Sequence, residues 1–94
     1  MSKRDEYVSK MKLELDSLNE KIDKLEASAH EAKEAARAKY HEELAKLRKQ
    51  SKAAVDKLAQ IKTASEDGWQ IMVLEMENAR DALVHAFHYF KSQL

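Results

Sequence analysis

From Arg4 to Lys62 the chain contains no glycine and no proline, and an apolar residue returns every three or four positions. That pattern, unbroken by either strong helix breaker, predicts one long amphipathic helix. Its first half is written in heptads. Val8, Leu15, Ile22 and Ala29 occupy one core position and Met11, Leu18, Leu25 and Ala32 the other, with mostly polar residues between them. A stripe along one face cannot bury itself. At ~1.5 Å per residue the helix would be roughly 90 Å long, more than a compact domain of this mass could surround, so the stripe calls for a partner chain.

The rest of the composition agrees. Charged residues make up 36% of the chain and hydrophobic ones 44%, with one glycine and no proline, which is a long-helix or coiled-coil usage rather than that of a mixed fold. Seventeen basic side chains balance seventeen acidic ones, so the chain as a whole has no polyelectrolyte attraction to nucleic acid. The absence of cysteine removes disulfides, thiolate metal sites and cysteine nucleophiles. The opening residues lack the apolar core of a signal peptide and no window reaches the length of a membrane span, so the expected compartment is the cytoplasm.

Ser2 is placed to cap the first helix, with Asp5 and Glu6 in a first turn whose dipole favours acids. Glu6 with Lys10, Glu20 with Lys24 and Glu42 with Lys46 have the i,i+4 spacing that supports helicity. β-branched residues at one core position and leucine mostly at the other favour two parallel strands. Between Ala27 and Ala38 the stripe narrows to Ala29, Ala32 and Ala36, which is strongly helical but weakly adhesive. It then continues through Tyr40, Leu44 and Leu47 with a stutter, and a change of packing partner is expected near Ala36 to Tyr40. Ser51, Ala54, Val55, Leu58 and Ile61 carry it onward.

Charge then changes sign. Leu44 to Ala64 holds six cations against Asp56 alone, and Ser65 to Ala82 holds five acids against Arg80 alone. Cations closing one helix and acids opening the next suit both dipoles. Thr63 or Ser65 can cap, and Gly68 lowers helix propensity, so a break is expected at about 63–67. A second helix follows over about 68–91. Trp69, Ile71, Met72, Val73, Leu74 and Met76 cover more than one of its faces, and Ala79, Leu83, Ala86, Phe87 and Phe90 extend the stripe. Such a helix needs cover over a wide arc. Folding back on the basic end of the first helix supplies part of it.

Few residues suggest chemistry. Asp81, His85 and His88 share one helix face and are the candidate metal ligands, although three ligands on one helix lack the closed set of a structural site. His30 and His41, eleven residues apart on one continuous helix, cannot meet at one ion. No glycine-rich phosphate loop and no nucleophile–histidine–acid arrangement is present, so neither an enzyme nor a cofactor is expected. Met72 and Met76 with Trp69, Phe87 and Phe90 could instead form an adaptable face for a partner or a lipid surface, though cations are sparse around them.

Several segments carry a likeness to known proteins: Tyr7-x-x-Lys10-Met11 with Leu15 and Leu18, Lys21-Ile22-Asp23-Lys24-Leu25-Glu26-Ala27, the alanine stretch from Glu31-Ala32-Lys33 to Tyr40, Glu43-Leu44, Leu47-Arg48, and Asp67-Gly68-Trp69 before the last helix. Through these the chain resembles a family of small bacterial coiled-coil proteins described as stress-response proteins. The Ile71 to Met76 run is more apolar than that family's C-terminal helix. The resemblance implies a non-enzymatic, stress-linked protein with no established catalytic residues to carry over.

Taken together, the residues predict an all-α fold: a long amphipathic coiled-coil helix over about 3–62, a break, and a shorter apolar helix, forming a helical hairpin that assembles into a dimer. The expected oligomer interface comprises Val8, Met11, Leu15, Leu18, Ile22, Leu25, Ala29, Ala32, Ala36, Trp69, Met72, Met76, Leu83 and Phe90. The chain itself is the expected partner, with a further protein partner possible in principle. Binding to a lipid or granule surface through the second helix, or a metal-binding bundle, are the alternatives.

Overall fold

A computed structural model describes residues 2–93. It consists of three helices, α1 (Lys3–His30), α2 (Glu34–Thr63) and α3 (Trp69–Gln93). They run up, down and up in a bundle measuring 51 × 18 × 18 Å. Helices of 28, 30 and 25 residues lying side by side account for that length at about 1.5 Å per residue.

The all-α character and the second break follow the sequence. The single helix over 3–62 does not. The chain reverses at Glu31–Lys33, and what was expected as one helix is the antiparallel pair α1 and α2. The change of packing partner expected near Ala36 to Tyr40 takes place a few residues earlier, by reversal of the chain. Burial explains the reversal. A straight helix leaves both halves of its stripe in water, whereas folding lays one half against the other at no cost in association entropy.

The core is built from three stripes. Met11, Leu15, Leu18, Ile22, Leu25 and Ala29 come from α1, and Leu44, Leu47, Ala54, Leu58 and Ile61 from α2. Met76, Leu83, Phe87 and Phe90 come from α3. The α1 set keeps alternating spacings of three and four, as does the α2 set once buried Ser51 is counted, so the heptads do direct helix packing, but inside one chain. Nine of the residues expected at an oligomer interface are thus buried within the chain: Met11, Leu15, Leu18, Ile22, Leu25, Ala29, Met76, Leu83 and Phe90. Val8, Ala32, Ala36, Trp69 and Met72 are half-buried. Val55, expected on the stripe, faces outward.

Polar contacts fix the register. Ser51, buried in the α1–α2 interface, donates its hydroxyl to Asn19 Oδ1. Arg48 donates to Asp23 Oδ1 at 2.6 Å and to Glu26 Oε2 at 2.7 Å. These bonds, Asp23's first, hold its guanidinium further into the charged form. Lys57 Nζ meets Glu75 Oε2 at 2.7 Å, which joins the basic end of α2 to the acidic start of α3 as the charge pattern required. The hydrogen bond from Lys57 holds Glu75's carboxyl below its ordinary value. Tyr40 donates to the Gln93 carbonyl at 2.8 Å and packs edge-on against Phe90, closing the far end.

Helix ends differ in how they are made. Ser2 Oγ accepts the Asp5 amide at 3.2 Å, as expected of the first cap. Ser65 Oγ accepts the Gly68 amide at 3.1 Å, while Thr63 turns back to the Ala59 and Gln60 carbonyls and belongs to α2. Of the two capping candidates, Ser65 is the one used.

Candidate helix-docking face

The wide apolar arc of α3 is covered from two sides. α2 packs along its length, and α1, folded back by the first turn, covers another flank, with the Tyr7 and Trp69 rings 5.9 Å apart. Glu14 and Arg80 close the same α1–α3 seam at 3.0 Å. This leaves Trp69, Met72 and Val73 half-buried and Met76 fully buried. The partner that α3 needs is largely the chain's own α1, which an unbroken first helix could not have supplied.

Two apolar residues of the arc remain outside. Ile71 is 80% exposed and Leu74 67% exposed, one turn apart on the outward side of α3. Continuing along that side at steps of three and four come Asn78, Ala82, His85 and Tyr89, all exposed, with Tyr89 at 64%. These six positions form a face about 27 Å long at ~1.5 Å per residue. Lysine and arginine are absent from it, and Glu75 and Asp81 flank it. The outward sides of α1 and α2 are charged instead, mixed in sign along α1 and mainly basic along α2 beyond Leu44, the ordinary coat of a solvated helix. An outward face without lysine, arginine or carboxylate and with two bare aliphatic side chains is therefore particular to α3 among the described helices.

Beside it, the less extensive contact between α1 and α3 leaves a groove of about 490 Å³. Leu13, 70% exposed, and half-buried Val84 form its apolar walls, and Arg80 and Lys21 its polar rim. Arg80 is engaged there by Glu14 and Asp81, whose hydrogen bonds, Glu14's first, hold it charged against the cost of partial burial.

Asp81 accepts two hydrogen bonds from its neighbour Arg80, at 3.1 and 3.0 Å, and His85 and His88 are exposed. No group of three or more histidine, aspartate or glutamate side chains close enough to hold a metal occurs among the described residues. The expectation that His30 and His41 stay apart rested on a continuous helix. The turn brings both into one groove of about 280 Å³ with Glu26 and Arg37. No helix among the described residues is long and apolar enough to cross a membrane.

In the sequence Ile71 and Leu74 belong to one apolar run with the rest of the arc. Their separation from it could have been found by projecting α3 around Met76 and Leu83, because both lie on the opposite side. Comparison with family models, curated proteins and solved structures finds no match for this chain.

Proposed function

We propose that this chain is a non-enzymatic interaction protein, a small helical bundle that docks an apolar helix of a partner protein on the outward face of α3. The exposure of Ile71 and Leu74 on a face free of lysine and arginine carries this reading. Bare aliphatic side chains spaced by one turn are the anchors with which a helix engages a partner helix, and a face of this length suits one such helix. The lack of cations on the face speaks against an anionic lipid surface as its target. The resemblance to small coiled-coil stress-response proteins supports a stress-linked setting, in which such a surface holds or scaffolds a partner.

The test is quantitative capture from cells that make the protein, followed by reconstitution. Wild type and a variant carrying Ile71→Asp with Leu74→Asp are compared with Val55→Asp, an exposed control on another helix. A protein retained by wild type and the control but lost by the double variant, and bound again when purified, is the expected result. Equal capture by all three overturns the reading.

A further inference from the structure

The two chain reversals are built on different principles. Between α2 and α3 the stop is written into the residues: Ser65 caps through its hydroxyl, and the chain's one glycine follows at position 68. Between α1 and α2 the turn residues are Glu31, Ala32 and Lys33, all good helix formers. No residue there takes a positive φ, and Lys33, at the N-cap of α2, makes no side-chain capping bond. Glu31 is already in the helical region at φ −82°, ψ −9°. Lys33 departs from helix in ψ, 143°, while its φ of −58° is helical. Turning that ψ toward about −42°, with Ala32 following, would make α1 and α2 continuous.

We propose that the α1–α2 turn is a hinge and that its open form is completed by a second copy of this chain. With Glu31–Lys33 helical, residues 3–63 form one helix, and two chains exchange α1, each α1 packing on the other chain's α2 and α3. The open form cannot persist alone, because straightening strips the cover from Met11, Leu15, Leu18, Ile22 and Leu25. In the exchanged pair every one of these contacts returns, together with the Ser51–Asn19 bond, the Arg48 bridges to Asp23 and Glu26, and the Glu14–Arg80 pair. Opening gives up the Arg37-to-Ala32 bond and the short turn bonds of Glu31 and Ala32, and regains helical bonds across the hinge. Native contacts are therefore nearly equal in the two forms, and mass action decides between them. The apolar period also runs through the hinge as Ala29, Ala32 and Ala36, small side chains that let two straightened helices cross closely. None of this involves the outward face of α3, so the exchange and the docking reading stand or fall separately.

The test uses the natural absence of cysteine. Asn19→Cys with Ser51→Cys places a pair at two side chains that touch, so oxidation links α1 and α2 within one chain in the closed form and between chains in the exchanged form. The protein is unfolded, refolded at high concentration, and examined by denaturing electrophoresis after oxidation, and without cysteines by scattering. The expected result is a dimer with a maximum dimension of roughly 90–100 Å, set by a helix of about 1.5 Å per residue, that oxidises to a covalent dimer. Glu34→Pro is the second variant. Proline suits the first position of α2 after a residue at ψ 143°, but breaks a helix that runs through it, so this variant is expected to remain a monomer close to the 51 Å length. A monomer at every concentration, a dimer whose cysteines link only within chains, or a dimer that persists with Glu34→Pro overturns the proposal.

Discussion

The Arg4 guanidinium donates a 2.7 Å hydrogen bond to the carbonyl of Ala64, sixty positions along the chain. It fastens the first turn of α1 to the exit of α2, satisfying a carbonyl at a helix end that has no partner within the helix. Arg4→Met keeps much of the side-chain stem and removes the donor. It is expected to lower stability by about 1 kcal/mol and to speed amide exchange at Gly68 and Trp69, which begin the next helix beside that carbonyl. Unchanged exchange at those amides would show that the bond does not hold the turn.

Tyr7 shows the opposite situation. Its hydroxyl is buried between α1 and α3 and has no hydrogen-bond partner. Tyr7→Phe removes an unsatisfied polar group and keeps the ring against Trp69, so stability should rise by about 1 kcal/mol in chemical denaturation. A loss would mean that the hydroxyl has a partner in solution.

The same side chain makes a prediction at alkaline pH. Burial, then the Glu77 and Glu14 carboxylates, push the Tyr7 hydroxyl above its ordinary value of 10.0, with Arg80 opposing. The folded state thus holds this proton longer than the unfolded state does. The stability linked to it is fully present below pH 10.0 and is lost as pH rises from there through the raised folded value. The wild-type stability curve should fall more steeply in that range than the curve of Tyr7→Phe. Parallel curves would refute the linkage.

Ile22 and Ile71 test which part of the apolar pattern is core. Ile22 is 0% exposed and Ile71 80%. Ile22→Ala should cost about 2–5 kcal/mol, whereas Ile71→Ala should change stability by less than about 0.5 kcal/mol. Because Ile22 is covered by its own chain in the closed bundle, its loss should not vary with protein concentration in dilute solution, where the closed monomer prevails. A concentration-dependent loss would mean that intermolecular cover dominates under those conditions.

The α2–α3 turn can be examined through Ser65 and Gly68. A β-carbon at position 68 would lie 2.9 Å from Ser65 Oγ, so Gly68→Ala obliges the serine to rotate away and lose its capping bond. Ser65→Ala alone should cost about 1 kcal/mol. Gly68→Ala should be destabilising in wild type and neutral or stabilising in the Ser65→Ala background, where the obstructing oxygen is gone. Additive effects in the double variant would refute the coupling.

Much of the architecture is readable without coordinates because it depends on local chemistry. The heptads of α1 name Met11, Leu15, Leu18, Ile22, Leu25 and Ala29 as packing residues whatever they pack against. The charge reversal brings Lys57 to Glu75, and Ser65 with Gly68 marks the second turn through a cap and a poor helix former. The proposed docking face was only half legible. Ile71 and Leu74 stand out as apolar, and a helical projection sets them opposite Met76 and Leu83, but the position of α1 beside α3 shows how far Trp69 and Met72 are covered. The meeting of His30 and His41 was not legible at all, because it depends on a turn that has no local signal.

By itself, then, the sequence determined that the chain is helical, which side of α1 is buried, and where the second helix ends. Only the tertiary structure decided where the first helix ends and what covers its stripe. Glu31, Ala32 and Lys33 have the propensity to stay helical, and a stripe presents the same pattern to a second chain as to its own. The choice between them is made by the whole buried surface weighed against the entropy of association, a balance to which no single residue holds the key.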